Sequence, residues 1–108
     1  MTTSANELYG SPEPKISVIL PVLNESKYLE EAVKAILDQD FAGDIEIILA
    51  VGPSQDGTEE IANSLAKQDS RVVVVANPTG RTAAGLNLAV AATKYSIIVR
   101  VDGHSKMM

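Results

Sequence analysis

Ile16-Ser17-Val18-Ile19-Leu20-Pro21-Val22 is the run that decides the fold. Its residues are mostly β-branched, and Pro14 and Asn24 bound it, so it reads as a strand buried on both faces. The period then changes. Leu29, Ala32, Val33, Ile36 and Leu37 recur at the spacing of one apolar helix face. Glu30, Glu31, Lys34 and Asp38 fall mostly on the other face, and Asn24 or Ser26 can cap the start.

The same alternation continues to the end of the chain. Ile45 to Val51 is a second buried strand, and Gly52 to Gly57 is a loop by composition. Asp56, with Glu59 three residues on, fits an N-cap and capping box for a helix carrying Ile61, Ala62, Leu65 and Ala66 on one face. Val72 to Val75 is a third strand, and Asn77 to Gly80 a turn. A small-residue helix spans about Thr82 to Thr93, and Ile97 to Val101 is a fourth strand. Gly85 lies inside that last helix, at a cost of roughly 1 kcal/mol against Ala. A close approach of helix to sheet explains it.

The predicted order is β-α-β-α-β-α-β. Continuous apolar strands belong to a parallel sheet covered by helices. Right-handed crossovers restrict it to a Rossmann-like α/β half. Ligands of such sheets bind beyond the carboxyl ends of the strands. Pro21 to Glu25, Gly52 to Asp56, Asn77 to Arg81 and Asp102 to His104 occupy those ends.

Composition narrows the function classes. The 108 residues are 45% hydrophobic, 21% charged and 4% aromatic, enough for one small domain. A net charge of -5 disfavours nucleic acid and anionic membranes as partners. No Cys is present, so thiolate metal sites and disulfides are excluded, which suits a reducing cytoplasm. Met1 to Pro14 has neither an apolar run nor an early basic cluster, and reads as a polar, disordered arm rather than a signal peptide. Residues 15–108 form the domain.

Each candidate site residue has an ordinary structural reading beside the functional one. Asp102 and His104, two residues apart at a strand end, can reach one divalent ion such as Mn²⁺ or Mg²⁺ if phosphate oxygens complete the shell. Spacing alone favours a strand-terminating turn instead, because Asp-x-His is a short and common pattern. Arg81 precedes a helix N-terminus, where it can pair bidentately with a phosphate, or it is a solvated loop Arg. Asn24 and Glu25 could contact a ribose or base edge, or cap and complement the following helix. Asp56 reads as a cap, because the loop lacks the Gly-Lys-Ser/Thr ending of a P-loop.

Taken in order, Ser17 to Glu25, Ser54-Gln-Asp-Gly-Thr58, Arg81-Thr-Ala-Ala-Gly-Leu-Asn87 and Val101-Asp-Gly-His104 resemble the family 2 glycosyltransferases. The resemblance covers residues 16–105 and is closest to the bacterial branch of succinoglycan-type and other exopolysaccharide transferases. It implies half of a glycosyltransferase A fold, cut off just after its metal motif. It implies an inverting, metal-assisted sugar transfer from a nucleoside-diphosphate sugar, most often a UDP-sugar. Asp102 and His104 would match the motif holding the diphosphate through Mn²⁺ or Mg²⁺. Pro21, Leu23 and Glu25 would line the nucleoside pocket, and Arg81 would match a basic position near the nucleotide. The catalytic base would lie beyond residue 108, leaving this chain inactive alone. Membrane attachment, at the inner face of the cell membrane, would come only from that further part.

The chain departs from the family where an aspartate usually ends the second strand and reads the uracil ring. Val51 and Gly52 stand in that region. Other readings share some of these features: a non-catalytic nucleotide-binding module, an inactive fragment, or an unrelated doubly wound domain of flavodoxin type. An activity assay would decide on the first, an exposed apolar sheet edge would favour the second, and flavin colour would reveal the last.

Overall fold

A computed structural model describes residues 15–38 and 44–101. The expected arm at 1–14, and Asp102 and His104, lie outside the described residues. Four strands alternate with helices: β1 Lys15–Val22, α1 Leu29–Leu37, β2 Asp44–Val51, α2 Thr58–Gln68, β3 Val72–Ala76, α3 Thr82–Ala92 and β4 Ile97–Arg100. The elements are those expected from the sequence, with ends differing by a residue.

The sheet is fully parallel in the order β3-β2-β1-β4. β1 and β2 form its centre, with Ser17 opposite Glu46, Ile19 opposite Ile48 and Pro21 opposite Ala50. Side chains alternate between faces along each strand. Val18, Leu20, Val22, Ile47, Leu49, Val51 and Val72 form one core with Leu29 and Val33 of α1 and Ala62 and Leu65 of α2. Ile19, Ile48 and Ala50 form the other with Ala89 of α3. Buried apolar area of this kind stabilises by about 25 cal/mol per Å².

The helices start differently from expectation. Neither Asn24 nor Ser26 caps α1. Tyr28 holds the cap position, with no side-chain bond capping the helix, and the chain enters through a turn in which the Tyr28 and Leu29 amides donate to the Glu25 carbonyl at 3.0 and 2.9 Å. The cap position of α2 belongs to Gly57, whose φ of 87° is left-handed, not to Asp56. Asp56 instead accepts from the Thr58 amide at 3.2 Å.

β4 also departs from the expected buried strand. All of its residues are exposed: it lies at an edge and, unlike β3 at the other edge, which packs against α2 and α3, its contacts among the described elements are chiefly with β1. α3 is apolar on more than its sheet-facing side, so Leu88 and Val90 are exposed beside Asn87 while Gly85 and Ala89 face the sheet.

Candidate functional site: the loops at the carboxyl end of the sheet

The loops after β1 and β2 are stitched to each other. The Asn24 amide donates to Ser54 Oγ at 3.0 Å, and the Gln55 amide to Asn24 Oδ1 at 2.9 Å. The Glu25 amide donates to Thr58 Oγ1 at 2.8 Å, and the Ser26 amide to Asp56 Oδ2 at 3.1 Å. Thr58 Oγ1 also hydrogen-bonds Asp56 Oδ1. Asn24 adopts a φ of 52°, a left-handed value that Asn tolerates better than most residues. The carboxyl of Asp56 is drawn from its ordinary 3.8 to about 2, chiefly by the Thr58 hydroxyl and then by donors of Ser26.

The loop after β3 closes on the same end. A Cβ at Gly52 would meet Leu23 Cδ1 at 3.0 Å and the Gly80 Cα at 3.1 Å. A Cβ at Gly80, where φ is 70°, would meet Pro53 Cδ at 3.3 Å. The three loops therefore touch through positions without side chains. Where the resemblance leads one to expect an aspartate, Val51 is buried and Gly52 has no room for any side chain.

Arg81 follows at the cap position of α3, with extended backbone and an exposed side chain. Its loop is held from beneath by Asn77, which is 4% exposed. Asn77 Nδ2 donates to the Arg81 carbonyl at 2.9 Å, and Thr79 Oγ1 donates to Asn77 Oδ1 at 3.0 Å. The Arg81 amide donates to Thr79 Oγ1 at 3.1 Å. α3 thus begins at this sheet end with no side-chain bond capping it and with Arg81 exposed, and a helix N-terminus beside a cation suits an anion.

Leu23 is 39% exposed and reaches the Gly52–Gly80 seam, so Leu23 and Arg81 belong to neighbouring loops. Pro21 lies within β1, half-buried, on the α3 side. Glu25 is 3% exposed and lines a small cavity with Leu20, Val22, Tyr28, Leu29 and Ala32, on the opposite face. The described residues contain no group of three or more His, Cys, Asp and Glu able to hold a metal ion. Asp102 and His104 follow Val101, whose amide donates to the Ile19 carbonyl at 3.0 Å. By donor type they fit a hard or borderline divalent ion, a carboxylate oxygen beside an imidazole nitrogen.

Sequence reasoning missed Ser54, Thr58 and Asn77 as the residues that fix this end. The Ser-x-Asp-x-Thr spacing of 54–58 was visible, but its partners lie in another loop.

Comparison with known proteins accords with this geometry. Residues 17–108 match the Glycosyl transferase family 2 profile. The chain is 34% identical over 90 residues to the uncharacterized glycosyltransferase EpsJ of Bacillus subtilis, covering 83% of this chain and 26% of that protein. It is 33% identical over 89 residues to the succinoglycan biosynthesis protein ExoA of Rhizobium meliloti, covering 81% and 27%. The chain thus spans about a quarter of the length of these relatives. The first 349 residues of S. aureus TarS superpose with a TM-score of 0.73 at 25% identity, over 82% of this chain and 27% of that one. Glucosyl-3-phosphoglycerate synthase of Mycobacterium tuberculosis, solved with Mn²⁺, UDP and phosphoglyceric acid, superposes at 0.65 and 26% identity, over 96% and 38%. The parallel sheet, the loops gathered at its carboxyl end and the match along nearly all of the described chain place this protein in glycosyltransferase family 2.

Proposed function

We propose that this chain is the donor-binding part of an inverting, metal-assisted glycosyltransferase acting in polysaccharide or glycolipid biosynthesis, on the cytoplasmic side. The observation that carries the proposal is the convergence of the β1, β2 and β3 loops on one sheet end, where Leu23 approaches Gly80 and the exposed Arg81 follows at the start of α3. A nucleoside-diphosphate sugar needs these features: an apolar surface for the nucleoside and a cation with free amides for the phosphates. The M. tuberculosis neighbour binds UDP with Mn²⁺ on a similar fold, which supports a UDP-sugar as donor.

Each residue has a proposed task. Leu23 and Pro21 give the nucleoside surface. Glu25 holds the loop in shape through its amide and carbonyl. Arg81 pairs with the diphosphate. Asp102 and His104 hold Mn²⁺ or Mg²⁺, which when bound supplies Lewis-acid stabilisation of the departing diphosphate. In the reaction, an acceptor hydroxyl oxygen bonds to the anomeric carbon as the bond from that carbon to the diphosphate oxygen breaks. A carboxylate general base takes the hydroxyl proton.

Calorimetric titration of UDP and GDP, with and without Mn²⁺, tests the reading. Binding is expected to tighten with Mn²⁺, and His104→Ala is expected to abolish that gain. Equal affinities with and without the ion would leave Asp102 and His104 as a turn.

A further inference from the structure

A buried carboxylate lies away from these loops, near the amino end of the sheet. Glu46 of β2 is 3% exposed, on the α3 face. Its Oε2 accepts from Ser17 Oγ at 2.6 Å and from the Lys94 amide at 2.8 Å. Its neighbours on that face, Ile48 and Ala50, simply pack against α3. A carboxylate in a sheet interior is costly unless hydrogen-bonded, so a third apolar residue would serve packing better.

What Glu46 adds is the bond to Lys94. Helix α3 ends at Ala92, and the chain turns through Thr93 to Ser96 into β4. β4 needs such a fastening. Its residues are all exposed, so apart from Val101, which follows it and packs against the core, little packing sets its register on β1. A slip of one residue would shift Val101 by about 3.3 Å and send its side chain to the other face. In the observed register, Ile98 lies opposite Ser17 and Arg100 opposite Ile19. Ser17 is thus the residue that β4 must find, and it is hydrogen-bonded to the carboxylate that holds the entry to β4.

We propose that Glu46 is a positioning residue. It fixes the register of β4 on β1, and through it the point, Val101, from which the chain runs on to Asp102 and His104. The register half stands on the hydrogen bonds alone, whereas the link to metal rests on the function proposed above.

Hydrogen exchange and nucleotide titration of the 108-residue chain test both halves, using Glu46→Ala and Lys94→Pro. Lys94→Pro removes the amide donor and leaves the Glu46–Ser17 pair intact; Lys94→Ala, which keeps the amide, controls for loss of the Lys94 side chain over the Tyr95 ring at 5.7 Å. Thr93 already has the extended backbone (ψ 146°) that a residue before proline adopts. Loss of a hydrogen bond to a charged group should speed exchange in β4 and at Val101 about tenfold or more relative to β2 and β3. The Mn²⁺-dependent gain in UDP affinity should shrink, with metal-free affinity unchanged. Unaltered β4 protection, or equal acceleration in every strand, overturns the register claim. Loosened β4 with an unchanged Mn²⁺ gain overturns the link to Asp102 and His104. If Glu46→Ala does not fold, Lys94→Pro decides alone. If the unaltered chain binds no nucleotide, the proposed function fails while the exchange data still judge the register.

Discussion

Gly85→Ala should destabilise this protein, although helix propensity says the reverse. Replacing an interior helical Gly with Ala gains about 1 kcal/mol from backbone entropy alone. The new methyl, however, would stand 2.8 Å from Asn77 Nδ2 and 3.5 Å from Ala50 Cβ. The first distance is shorter than real contacts allow, so Asn77 must move. Asn77 is buried and its amide nitrogen holds the Arg81 carbonyl at 2.9 Å. Leaving such groups unpaired costs about 1–3 kcal/mol, and overpacking adds about 1–3. Against the gain, the net loss is about 1–5 kcal/mol, or a fall in Tm of at least about 4 °C. Thermal unfolding followed by circular dichroism measures it. A double-mutant cycle with Asn77→Ala isolates the cause, because without the Asn side chain the methyl has room and the two losses should not add. A rise in Tm on Gly85→Ala, or strict additivity in the cycle, would refute the reasoning.

Two further outcomes are expected. Arg81→Ala should weaken diphosphate binding about tenfold or more, the worth of a charge-assisted contact, with little change in Tm. Arg71→Ala, which removes an exposed pair to Asp69 at the start of β3, should leave binding unchanged, and calorimetry of both variants separates a specific contact from net charge. Asp56 should contribute to acid stability. Its folded pKa of about 2 lies below its ordinary 3.8, so its contribution is complete above about 3.8 and is lost as pH falls toward 2. Asp69, held at about 2 chiefly by the Arg71 side-chain hydrogen bonds, titrates in the same window. Asp56→Asn should therefore flatten the pH dependence of urea unfolding between pH 4 and 2 without abolishing it. An unchanged slope would show that the Asp56 stitch is not formed in solution.

The strands and helices were legible because each is a long run with one period. Ile16 to Val22 and Leu29 to Leu37 declare themselves without any tertiary partner. Gly85 was also legible, since an unfavourable residue inside a helix calls for a close neighbour, and Ala50 and Asn77 are that neighbour. The misread positions share one cause. Asn24, Ser26 and Asp56 are good local caps, and local pattern assigns them to their own helices. Asn24 and Ser26 instead bond across to a loop about thirty residues away, and Asp56 divides its carboxylate between Thr58 of its own helix and the Ser26 amide, which no local spacing reveals. β4 was misjudged for a related reason, because an apolar run does not state whether a strand is central or at an edge.

The strand order also sets a sequence of events in time. β1, β2 and β3 are consecutive in the chain and adjacent in space, so they can pair as the chain emerges. β4 follows β3 in the chain, yet it must find β1, the earliest of the four described strands. About twenty residues separate the end of β3 from the start of β4, or roughly 1–4 s of synthesis at 5–20 residues per second. During that interval one side of β1 stays open, with its backbone donors and acceptors facing solvent or any other extended chain nearby. Closing so distant a contact is slow relative to local pairing. The half-finished sheet is therefore the species most exposed to misassembly, and a chaperone that shields one edge of β1 would raise the yield of folded protein more than one that binds any helix.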